Sequence, residues 1–103
     1  MKFPKSIIIC GKTFSIIPDK NVDGGSFEYI KQEIKINPTF KDDAILEMLV
    51  HEILEVILAK NNHRYSIDFN DESCKNFLFS FNHFDFENIC SELAYSIKQL
   101  YNI

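Results

Sequence analysis

An α+β fold, with a small antiparallel or mixed sheet packed on a central helix, follows from three features of the sequence. Short β-branched runs separated by turn residues occupy its first third. A run from Leu46 to Leu58 that is apolar almost all round comes next. Two aromatic, alternating segments and an amphipathic stretch complete the chain, predicting a β-hairpin and a C-terminal helix. At 103 residues, with no repeat or linker, this is a single domain, 1–103, built on one modest core.

Ile7-Ile8-Ile9 and Thr13-Phe14-Ser15-Ile16-Ile17 read as strands separated by the Cys10-Gly11-Lys12 turn, and Pro18 ends the second. Asp19 to Ser26, containing Asp23-Gly24-Gly25, reads as a surface loop or tight turn. Partial alternation of Ile30, Ile34 and Ile36 predicts a third strand near Glu33–Ile36, closed by Pro38. Three short strands cannot hide both faces alone, so a helix must cover one.

That helix is expected from about Lys41 to Ala59, finishing near Asn61-Asn62. Thr39 and Asp42 offer an imperfect capping pair, and Asp42 and Asp43 suit the positive helix end. Leu46, Leu49, Val50, Ile53, Leu54, Ile57 and Leu58 nearly encircle the axis, which places the helix in the middle of the domain. Tyr65 to Phe69 and Phe77 to Phe81 alternate as hairpin strands joined through Asn70 to Asn76. A last helix is predicted over roughly Phe86 to Tyr101. Its core stripe is Phe86, Ile89, Cys90, Leu93, Ile97 and Leu100, with Glu92, Ser96, Lys98 and Gln99 facing outward.

Composition excludes several classes. Hydrophobic residues at 46% and charged residues at 25% belong to a folded domain, and ten Phe and four Tyr supply large side chains for its core. A net charge of -4 without a basic stripe argues against nucleic acid. Cys10, Cys74 and Cys90 are odd in number and lack CxxC spacing, which points to a reduced, cytoplasmic setting rather than a disulfide framework. Only four apolar residues, Ile7 to Cys10, follow the N-terminal segment, too few for a signal peptide or membrane span. Gly11-Lys12-Thr13 ends like a phosphate loop but lacks the Gly-rich lead and the following helix.

The chemistry gathers at His51-Glu52-Ile53-Leu54-Glu55. On a helix His51 and Glu55 lie one above the other, and Glu52 projects about 100° round the axis. The first pair could hold a divalent metal, leaving Glu52 to take a water proton. A hydrolytic zinc site needs three protein ligands and an open position. His83, ahead of the last helix, is the best third ligand, with Glu87 and Glu92 as alternatives and Asn82 or Asp85 as groups that could orient the imidazole. The rival for His51 and Glu55 is a charge-assisted i,i+4 pair on a half-exposed face. His63, between Asn62 and Arg64, reads as solvent-facing. No oxyanion stabiliser stands out, although Tyr65 and Tyr95 are present.

With these residues in view, the chain resembles the phage and prophage metallopeptidase-like proteins of the minigluzincin and ImmA-like kind. The resemblance runs through Ile7-Ile8-Ile9 with Gly11, Phe14 to Ile17, the Gly24-Gly25 loop, Glu33 to Asn37, and Ile45 to Val50 leading into His51-Glu52. It implies a minimal zincin-like fold, a three-stranded sheet over a motif helix, with a second helix carrying the third ligand. By that resemblance His51 is the first zinc ligand and Glu52 the general base. The departure is Glu55, where the usual member has histidine. In a related subgroup glutamate takes that place and a histidine precedes the last helix, an arrangement similar to Asn82-His83-Phe84-Asp85-Phe86-Glu87. The resulting His/Glu/His set has the same donors as a thermolysin-type site.

The function expected is therefore a zinc metallopeptidase acting on a protein or peptide substrate, associated with a phage or mobile element. Neither nucleic acid nor membrane is expected as a partner, and the chain is expected as a monomer or weak homodimer. The competing expectation is a noncatalytic zincin-like binding or regulatory protein whose metal is structural or vestigial.

Overall fold

Alternating burial along the first strands decides which sheet face meets the helix. The computed structural model describes residues 3–61, 63–66 and 77–101. Strands β1 (Ser6–Ile9) and β2 (Lys12–Pro18) are joined by a two-residue turn, with Cys10 and Gly11 both at positive φ (50° and 79°). That is the turn whose twist matches antiparallel strands, and Gly11 suits its second position. Strand β3 (Gly25–Glu28) follows a loop, and β4 (Glu33–Ile36) returns to lie between β2 and β3. The sheet order is β1-β2-β4-β3, with β2 and β4 parallel and the other pairings antiparallel. The sheet is thus mixed, the second of the two arrangements the sequence allows.

Ile7, Ile9, Phe14, Ile16, Ile34 and Ile36 form one buried face. Helix α1 (Asp42–Lys60) closes it with Ile45, Leu49, Ile53, Val56 and Ile57, all at most 1% exposed. Burying each such side chain contributes about 1.5–3 kcal/mol, so this interface dominates the fold. Helix α2 (His83–Lys98) packs on α1 and on β1. A short hairpin, β5 (Arg64–Ser66) with β6 (Phe77–Phe79), connects the helices in the register Arg64↔Phe79 to Ser66↔Phe77. The expected strand residues Ile67, Asp68 and Phe69, and the connecting Asn70 to Asn76, lie outside the described residues.

Several expectations are corrected. The segment expected as a surface loop, Asp19 to Ser26, runs into a strand: Gly25 pairs with Ile36 and Ser26 with Lys35, giving four strands rather than three. Helix α1 takes Lys41 as its N-cap, with no side-chain cap bond, because Thr39 is engaged elsewhere. The Thr39 hydroxyl donates to Asn37 Oδ1 at 2.6 Å, and Asn37 Nδ2 donates to the Val22 carbonyl at 2.9 Å. Asn37, 8% exposed, thereby ties the β2–β3 loop to the entry of α1.

Helix α2 begins at His83 rather than near Phe86, because Asn82 and Asp85 form a capping box: Asn82 Oδ1 accepts from the Asp85 amide at 2.9 Å. The predicted stripe is also rotated. Phe86 and Cys90 are exposed, whereas Ser96 is fully buried. Ser96 Oγ donates to the Ile8 carbonyl at 3.2 Å, and Gln99 both donates to that carbonyl (2.8 Å) and accepts from the Ile8 amide (2.7 Å). These bonds satisfy the outer backbone of β1, so polar residues belong on this helix face. No helix among the described residues is long and apolar enough to cross a membrane.

Candidate metal centre

Helical spacing brings three side chains of α1 together. His51 Nε2 lies 3.6 Å from Glu55 Oε2 and 3.8 Å from Glu52 Oε2. One ligand atom from each of His51, Glu52 and Glu55 falls within 4.8 Å of the others, and these residues form the one group of three or more such donors among the described residues. An imidazole with two carboxylates is a donor set suited to zinc or a similar divalent ion. The environments differ sharply: the His51 side chain is 65% exposed and Glu55 22%, but Glu52 only 6%. His51 therefore faces outward while the Glu52 side chain is buried.

Glycine makes room for it. A Cβ built on Gly25 would stand 3.2 Å from Glu52 Cγ and 3.1 Å from Ile36 Cδ1. Gly25 lies opposite Ile36 on the inward side of β3, so its missing side chain is what lets Glu52 fit between helix and strand. Gly24 has φ +90° and abuts Met48 Sδ, so a side chain there would be both strained and crowded. The sequence shows Asp23-Gly24-Gly25 only as a turn signal. Its part in the site lay hidden because glycine carries no strand periodicity.

Two clefts flank His51, which lines both. The first, about 410 Å³, lies between the Asp23–Gly25 segment and the first half of α1, and Phe40, Glu47, Met48 and Glu52 border it. The second, about 310 Å³, is walled by Leu54, Glu55, Leu58, Phe79 and Phe81. The cluster thus opens toward space on both sides. Outermost on the first side is β3, which pairs with β4 alone among the described strands.

His83 stands apart from the cluster in this conformation. As the first residue of α2 it is 82% exposed, with Nδ1 3.3 Å from Glu87 Oε1. It is connected to the second cleft through rings: His83 to Phe86 at 6.3 Å, then Phe86 stacked on Phe81 at 6.3 Å. Asn82 and Asp85, expected to orient the imidazole, are engaged with each other in the helix cap. His63 is half-buried rather than solvent-facing, with Nδ1 3.1 Å from the Ser80 carbonyl and its ring edge-on to Phe81.

Glu92 belongs to a different neighbourhood, beside Cys10 and Lys60. Burial pushes the Cys10 thiol above its ordinary value, Glu92 adds to the rise, and Lys60 opposes it. A thiol kept protonated is a poor metal ligand and nucleophile. No protein-family model matches the chain, and neither a search of curated proteins nor a search of solved structures yields a match.

Proposed function

We propose that this chain is a zinc-dependent peptidase of the minigluzincin-like kind, hydrolysing a peptide bond in a protein substrate of a phage or mobile element. The observation that carries this reading is the cluster that His51, Glu52 and Glu55 form on α1. An exposed imidazole lies near two carboxylates, and one of these, Glu52, is on a buried side chain that lines an open cleft and whose Cγ packs near Gly25. His51 and Glu55 are assigned as two zinc ligands and His83 as the third, released from Glu87 to complete the set. Glu87 is the substitute if His83 keeps its present place; Glu92, turned toward Cys10, is the weaker candidate.

Zinc bound there would supply Lewis-acid activation of water and of the scissile carbonyl. Glu52 is the general base. Its carboxylate takes the water proton and returns it to the departing amine, a role suited to a side chain that borders the cleft yet is shielded from bulk solvent. The outer strand β3 offers backbone groups against which an extended substrate could lie as an added strand. His51, Glu52 and the Gly25 backbone thus divide metal binding, proton transfer and positioning among themselves.

A noncatalytic metal-binding protein is the second reading, favoured by one observation: Glu52 itself belongs to the three-donor cluster. If Glu52 ligates the ion, no base remains. Glu52→Gln separates the two. In the peptidase reading the variant retains about one zinc per chain by metal analysis and loses hydrolysis of a casein substrate by at least about a hundredfold. Loss of zinc together with an inactive wild type would establish Glu52 as a ligand and end the peptidase reading.

A further inference from the structure

The two clefts beside His51 differ in chemical character, the first being the more polar. The first is lined by Asp23 and Glu47, both exposed, together with the apolar Phe40, Ala44 and Met48. Carboxylates above a hydrocarbon surface match a lysine or arginine side chain, whose methylene stem packs on apolar groups while its charged head stays among polar ones. The second cleft is walled by Leu54, Leu58, Phe79 and Phe81, with polar atoms confined to the side shared with His51 and Glu55. It suits a large apolar side chain. Phe40 in the first cleft and Phe79 and Phe81 in the second are each 43% exposed, which leaves aromatic surface uncovered in both.

Because His51 borders both clefts, a single extended chain crossing it would set one side chain into each. We propose that the substrate is a peptide segment carrying a basic residue on one side of the scissile bond and a large apolar or aromatic residue on the other. Asp23 and Glu47 select the first, and Leu58, Phe79 and Phe81 the second. The net charge of -4 adds long-range attraction for a cationic segment. This inference rests on the peptidase reading for the bond cleaved, but it stands on the clefts for what is recognised.

The test uses the full chain as Glu52→Gln with zinc added, and fluorescein-labelled Gly/Ser decapeptides read by fluorescence anisotropy. One position is Arg, Glu or Ala, and a second, one to three residues away, is Phe or Ala. At its best spacing the Arg/Phe peptide is expected to bind at least about tenfold tighter than either single-Ala peptide. Its advantage over Glu/Phe should shrink steeply between 50 mM and 500 mM salt. Glu47→Lys, a change on the exposed face of α1 that leaves Asp23 opposed by a cation, should abolish the Arg-over-Glu preference while leaving the Phe-over-Ala preference and zinc content unchanged.

Equal binding of all peptides, no binding of any, or an Arg preference that survives Glu47→Lys would overturn the proposal. Wild-type cleavage of the same set keeps the two ideas separate. Selective binding with no cleavage in zinc sinks the peptidase reading alone. Indiscriminate cleavage sinks the selectivity alone.

Discussion

Gly25 is the residue on which the candidate base depends. Its α-hydrogen faces Glu52 Cγ and the Ile36 side chain, and an added methyl would enter the 3.0–3.4 Å range that either neighbour must yield to. Ile36 is fully buried and its strand is paired on both sides, so Glu52 is the group that moves. Gly25→Ala should therefore cost about 1–3 kcal/mol in urea denaturation and depress hydrolysis more than it depresses zinc content. Activity equal to wild type would remove the positioning role. Cys10 supports a second residue-scale prediction. Its thiol is pushed up by burial first and by Glu92 next, so it is protonated in the folded chain at pH values where an ordinary thiol is already ionising. The native state then holds more protons than the unfolded one, so stability is fully present below the ordinary value of 9.0 and is lost as pH rises from there toward the raised native value. At pH 8.5 iodoacetamide should label exposed Cys90 faster than Cys10, as followed by peptide mass mapping; the reverse order would contradict the shift.

Among the elements, α2 owes its start to a local device rather than to the site. The reciprocal bonds of Asn82 and Asp85 begin the helix at His83, and Asn82→Ala should lower stability by about 1 kcal/mol in chemical denaturation. An unchanged midpoint would mean that packing alone positions the helix. The predicted start near Phe86 falls late because Asn82 and Asp85, expected as groups that orient the His83 imidazole, instead form the cap. Helix α1 was legible because apolar positions recur along its length, and the polar residues at 51, 52 and 55 stand out against them. Strand β3 was not legible: Gly-Ser-Phe-Glu presents one large apolar residue in four, and its strand state comes from pairing with β4. Ser96 and Gln99 were assigned to solvent by polarity, but the outer backbone groups of Ile8 give them a buried use that no single-helix pattern can show. Of the candidate site, the nearness of His51 and Glu55 on α1 was legible from helical spacing, whereas the third ligand expected at His83 does not join the group that these two form with Glu52. The contribution of β3 depends on a contact between segments about thirty residues apart, which no local pattern records.

At the scale of the whole molecule, the hydrophobic core joins α1 to the sheet without involving His51 or Glu55. All three clustered donors lie on one helix, so the chain should fold without an ion, unlike small domains whose ligands are gathered from separate loops. Zinc should stabilise by selective binding to the native state. At about a hundred times its dissociation constant it should add roughly 2.7 kcal/mol, a rise in melting midpoint of more than about 10 °C. If His83 is a ligand, His83→Ala should abolish most of that rise, because the ion then links the centre of α1 to the start of α2. A rise that persists in the variant would assign the third position to Glu87 or to solvent.

The amide of Gln99 has an effect at the opposite rim of the sheet. By occupying both the donor and the acceptor of Ile8, it denies a neighbouring molecule a template for edge-to-edge growth on that flank. That flank of the sheet is thereby closed to the addition of a further strand at Ile8.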